Sequence, residues 1–496
     1  MINASSHLPG RTVRSLAIGA SLCTLVLALP ATAATNLFKN SNVPRLPPIP
    51  PDLARKFLVP LPATMAEYHR ELDVLHIKAV RQGRDPRNPD APNAANYDPA
   101  LANPYPRPSQ VLREEGGAWV KTPAVWWHER RPEIVAAAED ALYGKIPADV
   151  PSVSWRVVGT ERGSVDGVAA TTTHLIGHVD NSADPAITVD IGLTEVLPDG
   201  LRGRVPLILE FGMGNFRLPK HMPPEVAPLP GVPPAPVYHG PESRYFLLHA
   251  GWGYANVDAT SAQADNGAGL DAGIIGLTNR GKPRSMSQWG SLRAWAWAAS
   301  RALDYLQTDP RVAADEIGIT GDSRFGKAAV VTMAFDPRFA IALFGSSGAA
   351  GAKLIRRDYG ETLEDVAAAN EFHWMAGNFL KYAADPLTAN DLPVDGDAIL
   401  ALCAPRPIFI SVGNPAAGDA WIDPVGEFEA AVGAGPVYRL LGKRPLQTNR
   451  FPPMGTTLAA GEIGFRQHQY GHMAAQGPDW PAFIEFARKY LHTENR

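Results

Sequence analysis

Residues 317 to 331 read Ile-Gly-Ile-Thr-Gly-Asp-Ser-Arg-Phe-Gly-Lys-Ala-Ala-Val-Val: a short β-branched run, a serine among glycines, and then residues suited to a helix. A sharp strand-to-helix turn of this kind lifts a serine Oγ out of a sheet and sets a helix N-terminal N–H beside it, ready for a developing oxyanion. The spacing departs from G-x-S-x-G, because Phe325 stands where the second glycine would be and Gly326 follows one place later. A plain Gly/Ser turn needs no cations, yet Arg324 and Lys327 flank this one. Ser323 is therefore the expected nucleophile.

The surrounding segments alternate. Strand-like runs at 154–160, 169–179, 187–193 and 206–211 predict the antiparallel leading edge of a sheet, and 245–258 predicts a further strand. A helix over 287–307 precedes the strand at 317–320; beyond the helix after Ser323 come a strand at 341–344, a long helical insertion over 354–382, a strand at 407–412 and helices over 424–432 and 480–490. This order predicts an α/β fold, the three-layer sandwich of the α/β-hydrolases, with a mostly parallel sheet and helices on both faces.

Export is expected as well. Arg11 and Arg14, an apolar stretch over 16–29 and Pro30-Ala31-Thr32-Ala33 give residues 1–33 the pattern of a cleaved signal peptide, and the stretch is shorter than a membrane span of about 20 residues. The product would be secreted or periplasmic. Cys23 falls inside the signal in a setting unlike a lipobox, which leaves Cys403 alone, in apolar surroundings, as a core residue without a disulfide partner. Residues 34–112 are rich in Pro, Asn and Ala, predicting an extended arm or linker interrupted by one helix-like segment at 61–78; the catalytic domain is expected over 113–496. The Trp126-Trp127 pair reads as packing rather than as a sugar platform. A net charge of −4 without a lysine-rich run argues against nucleic acid or an anionic membrane as partner. No metal-ligand or phosphate-loop spacing occurs, so no cofactor is expected, and the protein is expected to be a monomer.

In an α/β-hydrolase the acid and the histidine follow the serine in the chain, in the loops after late strands. His472, just before the last helix, is the expected general base, with His468 as the alternative. Asp419, in the loop after 407–412, is the expected acid, since a carboxylate there fixes the imidazole tautomer. Asp423, followed by Pro424, reads as a helix N-cap. Arg324 would bring a permanent positive charge to the oxyanion. Gly212 and Gly214 suit either the oxyanion side of a pocket or a tight turn.

The string Gly321-Asp322-Ser323-Arg324-Phe325-Gly326-Lys327 resembles the G-x-S-R-x-G-K signature of the glucuronoyl esterases, carbohydrate esterase family fifteen. The block from Gly117 to Ile134 is similar to the opening of bacterial members, and Arg356-Arg357-Asp358-Tyr359-Gly360-Glu361 and Asp419-Ala420-Trp421-Ile422-Asp423-Pro424 resemble two further family blocks. By that resemblance Lys327, Glu361 and Trp421 hold a glucuronate ring; from its position alone Glu361 reads as a charge at a helix N-terminus. Many members carry a catalytic glutamate in a segment like N-E-S-G-x-G-G-A, but here the matching residue is Ser346, leaving Asp419, at a position some bacterial members use. The resemblance implies a secreted serine esterase cleaving (4-O-methyl-)glucuronoyl esters between glucuronoxylan and lignin alcohols. Acetyl or feruloyl esters of plant polysaccharides are the alternative substrates, though Lys327 and Glu361 favour a uronate. A weakened, glycan-binding relative is a third reading, motivated by Ser346.

Overall fold

Val205 to Leu209 form an unbroken apolar run, and such a run is stable where both faces of a strand are covered. The computed structural model, which describes residues 59–105, 110–212, 236, 238–472 and 477–492, places it in the middle of a sheet. The expected signal peptide, the Pro-rich stretch up to residue 58, and Gly214 lie outside the described residues. The sheet contains β1 (Val153–Val165), β2 (Val168–Val179), β3 (Asp190–Pro198), β4 (Val205–Gly212), β5 (Gly253–Asp258), β6 (Val312–Asp322), β7 (Ala342–Gly345), β8 (Ile408–Val412), β9 (Thr457–Leu458) and β10 (Ile463–Gln467). Their order is β1-β2-β3-β5-β4-β6-β7-β8-β10-β9. The pairs from β1 to β5 are antiparallel, those from β5 through β4 to β10 are parallel, and β9 pairs antiparallel at the far edge.

Alternation along the central strands divides the core between two faces. Leu207, Leu209 and Phe211 of β4 join the larger cluster, with Trp289, Trp295 and Phe344, whereas Ile208 points to a second cluster with Leu247, Phe409, Trp480 and Phe483. The N-terminal helix α1 (Pro62–Val74) sends Tyr68 and Leu72 into the larger cluster. Its Glu71 is fully buried against Arg284, with Nε 2.8 Å from Oε1, and Arg284 also donates to the carbonyls of Trp289 and Met375 at 3.0 and 2.6 Å. A buried pair this thoroughly bonded anchors its segment. The domain therefore takes in residues expected as arm or linker, and its boundary lies before residue 113.

Other expectations are corrected by the same packing. The 206–211 run belongs to the parallel part of the sheet, not its antiparallel edge. The first half of 245–258 is the helix α2 (Ser243–His249), and a turn at Gly251, φ 78°, precedes β5. The long helix expected over 354–382 is replaced by short turns, with one α-helical turn at Leu363–Val366. Side chains compete for the backbone there: buried Lys353 donates to the carbonyls of Tyr359 and Glu361, and Gly360 adopts φ 61°. The later elements run as α3 (Ser291–Leu306), α4 (Arg324–Phe335), α5 (Gly396–Leu402), α6 (Pro424–Leu440) and α7 (Trp480–Ala487). Trp126 is buried in the core, Trp127 is exposed and Cys403 is buried. Among the described residues no helix is long and apolar enough to cross a membrane.

Candidate active site

Ser323 follows β6 directly and opens α4 with φ 57° and ψ −126°, a conformation that costs an L-residue about 1–3 kcal/mol and that surrounding contacts must hold. Its N–H donates to the Gly345 carbonyl of β7 at 2.9 Å, and its own carbonyl accepts from Lys327 N–H at 3.0 Å. The unusual glycine spacing has a packing cause. A Cβ on Gly321 would sit 2.3 Å from the Phe325 carbonyl oxygen, and one on Gly326 would sit 2.5 Å from that of Gly345. The second glycine is thus needed where the helix crosses β7, and Phe325 stacks on Phe211 with ring centres 6.2 Å apart.

Asp419 and His472 come to the same end of the sheet from the loops after β8 and β10. The two loops are tied together where Asn414 N–H donates to the Tyr470 carbonyl at 2.8 Å. His472 Nδ1 lies 2.6 Å from Asp419 Oδ1. The other oxygen, Oδ2, accepts from Ser346 Oγ at 2.6 Å and from Gly413 N–H. Burial alone would push the Asp419 pKa up, but His472, Ser346 and His468 outweigh it and hold the carboxyl below its ordinary value. A side chain on Gly413 would meet Oδ2 and the Gly471 carbonyl at 2.6 Å, which explains the glycine. His468 is buried, and its Nδ1 accepts from Tyr470 N–H at 3.2 Å. His472, rather than His468, is thus the histidine bonded to Asp419. Asp423 caps α6 through Gly426 N–H at 3.0 Å and pairs with Arg357 Nε at 2.7 Å.

Lys327, one turn into α4, is buried with all three ammonium hydrogens engaged: by the carbonyls of Ser347 and Ala349 at 2.7 and 2.8 Å and by Glu361 Oε2 at 2.8 Å. Glu361 Oε2 also accepts from Ala349 N–H at 2.7 Å, and Glu361 N–H donates to the Trp421 carbonyl at 2.6 Å. Lys327, Glu361 and Trp421 are therefore one connected unit, in which Lys327 fixes Glu361. Trp421 is half-buried beside Tyr97 and Tyr359.

Arg324 is held differently. Its Nη1 bonds Asp265 Oδ2, and the guanidinium carbon lies 5.3 Å from the Trp374 ring centre, with the side chain half exposed. Asp265 also accepts from Trp374 Nε1 at 2.7 Å and pairs with His373 Nε2 at 3.0 Å. Burial raises its pKa, but His373, Arg324 and Trp374 together hold it far below the usual carboxylate range. Nothing in the spacing of Asp265, His373 and Trp374 announces this clamp, which the loop carrying Asp265, the turn carrying His373 and Trp374 and the start of α4 assemble.

Glu427, in the first turn of α6, is a further residue that sequence reasoning missed. Its Oε1 accepts from Gly348 N–H at 2.6 Å and Ser347 Oγ at 3.1 Å, while buried Oε2 has no hydrogen-bond partner among the described residues. Burial, assisted by the charge of Asp419, pushes its pKa up to about 8. Glu427 is thus protonated at neutral pH. A carboxyl with a raised folded-state pKa contributes stability that is full below its unfolded pKa and drains away as pH rises toward 8. Relative to Glu427→Gln, wild-type stability should therefore fall as pH rises from about 5 to about 8, by up to about 1.4 kcal/mol per pH unit, and level off above that. Parallel thermal unfolding of the two proteins across that range checks it, since other titrating groups cancel in the difference.

No cluster of His, Cys, Asp and Glu among the described residues is arranged to hold a metal ion. The strand order, the helices on both faces and the serine turn at the end of β6 define an α/β-hydrolase. Residues 284–442 match the family model for fungal glucuronyl esterase. A family 15 glucuronoyl esterase from Teredinibacter turnerae is 39% identical, with a TM-score of 0.77 over 86% of this chain and 99% of that one. A carbohydrate esterase from an unknown prokaryotic organism is 29% identical over 445 residues, 85% of this chain and 98% of its own length. The 4-O-methyl-glucuronoyl methylesterase of Podospora anserina is 35% identical over 130 residues, 24% of this chain and 26% of that protein. The chain belongs to carbohydrate esterase family 15, the glucuronoyl esterases, and is a carboxylic ester hydrolase.

Proposed function

We propose that this chain, exported after removal of residues 1–33 and acting as a monomer, hydrolyses (4-O-methyl-)glucuronoyl esters that join glucuronoxylan to lignin alcohols. The observation that carries the reading is the Asp419–His472 pair at 2.6 Å, placed at the end of the sheet where the Ser323 turn also lies. In the proposed reaction Ser323 Oγ attacks the uronoyl carbonyl as its proton passes to His472. With Nδ1 bonded to Asp419, Nε2 is the ring nitrogen that carries that proton. The tetrahedral oxyanion is met by the α4 N-terminus and the Arg324 guanidinium, which Asp265 and Trp374 hold in place. Collapse breaks the bond to the alcohol, which leaves with the proton from imidazolium; water, activated by His472, then cleaves the acyl-enzyme.

Glu361, held by Lys327, offers a fixed acceptor to sugar hydroxyls, and Trp421 an indole face to the C–H surface of the ring. An acetyl group has no hydroxyls to use such a site, and burying an ion pair costs desolvation, which supports a uronate over the acetyl alternative. The test is initial-rate hydrolysis of benzyl glucuronate ester beside acetylated xylan and methyl ferulate. Turnover of the glucuronate ester alone is the expected result; release of acetate or ferulate alone would move the substrate class, and silence on all three would favour a binding role.

A further inference from the structure

The replacement of the glutamate common in this family by Ser346 leaves a specific question, since a serine cannot balance an imidazolium. Ser346 is fully buried between β7 and β8, with its N–H donating to the Ser411 carbonyl at 2.8 Å and a φ of 39°. An L-residue holds that backbone only under constraint. The conformation turns Oγ toward the loop after β8, where it lies 2.6 Å from Asp419 Oδ2. An ionised carboxylate has no hydrogen to give, so the serine is the donor. With Gly413 N–H on the same oxygen, Oδ2 has two donors and Oδ1 faces His472 Nδ1.

We propose that Ser346 is a positioning residue for the reaction: its hydroxyl fixes the carboxylate plane of Asp419 and thereby the orientation and basicity of His472. The inference rests on the Ser-His-Asp reading above. It also explains why the two acid positions are not both filled here. A carboxylate at 346 would face that of Asp419 inside a buried site, and two like charges so close cannot both ionise. The chain uses one acid and one donor instead. The ionisable neighbours of Asp419 are His472, His468 and Glu427, the last held protonated at neutral pH behind the loop that carries Ser346. A donor that stabilises the Asp419 charge lowers the carboxylate's hold on a proton and moderates its pull on the imidazolium. Loss of that donor should raise the pKa of His472.

The experiment compares wild type, Ser346→Ala, Ser346→Cys and Asp419→Asn on benzyl glucuronate ester from pH 5 to 9, with thermal unfolding alongside. Ser346→Ala keeps the Cβ and the same backbone requirement, so it should fold. Expected is a fall in kcat of about tenfold with KM within about twofold, and an acidic limb of kcat/KM displaced to higher pH. Ser346→Cys, a similar shape with a weak donor, should lie between Ser346→Ala and wild type. A wild-type kcat and superimposable pH profile for Ser346→Ala, with Asp419→Asn inactive, would overturn the inference while leaving the triad intact. Wild-type activity in Asp419→Asn as well would overturn the triad reading itself, and the inference with it. A loss confined to thermal stability, with kcat and the pH profile unmoved, would make Ser346 a structural residue and also overturn the proposal.

Discussion

Ser323→Ala is expected to lower kcat on glucuronate esters by about 10⁵–10⁶-fold while the protein unfolds at nearly the wild-type temperature. The first half follows from the covalent route. Without Oγ no acyl-enzyme forms, and what remains is the modest acceleration that a polarised carbonyl gives to attack by water. The second half follows from how the turn is held. Ser323 opens α4 but its side chain makes no capping hydrogen bond, so alanine removes no cap. The conformation at φ 57° is imposed by the bond from its N–H to Gly345 and by the close approaches at Gly321 and Gly326, none of which involves Oγ. Initial rates and thermal unfolding on the same preparation check both halves, and labelling by a fluorophosphonate should occur in wild type and vanish in the variant. Residual activity within tenfold of wild type would place the nucleophile elsewhere.

What could be read beforehand was whatever a local pattern dictates. The β-branched run, the glycines and the small residues from 317 to 331 determine a strand-turn-helix without help from distant parts of the chain, and the loops carrying Asp419 and His472 are located by the strand and helix beside each. The glycine shift was visible as an oddity, but its cause, the crossing of α4 over β7, exists only once the sheet is assembled. Other features were illegible for the same reason. Asp265, His373 and Trp374 meet only through tertiary structure. Glu427 looked like any acidic residue in a first helical turn, and its protonation is a consequence of burial. The segment 354–382 has helical composition, yet the buried Lys353 ammonium takes up the carbonyls of Tyr359 and Glu361 and the buried Arg284 guanidinium that of Met375, so propensity lost to side-chain hydrogen bonds. Glu71 pairs with Arg284, more than two hundred residues away, so its role in tying the N-terminal segment down is visible only in the assembled fold.

Asp419→Asn should cost about 10⁴-fold in kcat, although it exchanges one oxygen for a nitrogen of nearly the same size. The geometry dictates which way the amide must lie. Gly413 N–H points at Oδ2 and can only donate, so the amide oxygen has to take that side, where the Ser346 hydroxyl can also donate to it. The amide NH2 is then turned toward His472 Nδ1, which must accept. That places the imidazole proton on Nε2, and a protonated Nε2 cannot receive a proton from serine. The variant is therefore trapped in the wrong tautomer rather than merely deprived of a charge, and KM should change far less than kcat. Stability supplies an independent check of sign. The Asp419 pKa is depressed in the folded state, so its ionisation contributes stability above the unfolded pKa that is lost only as pH falls through the folded value. In acid, wild type should accordingly lose stability relative to Asp419→Asn, which has no carboxylate to protonate there. A variant with wild-type kcat would show that another group orients His472, whereas a collapse of kcat in a variant that still unfolds cooperatively near the wild-type temperature would assign the loss to the tautomer and not to the fold.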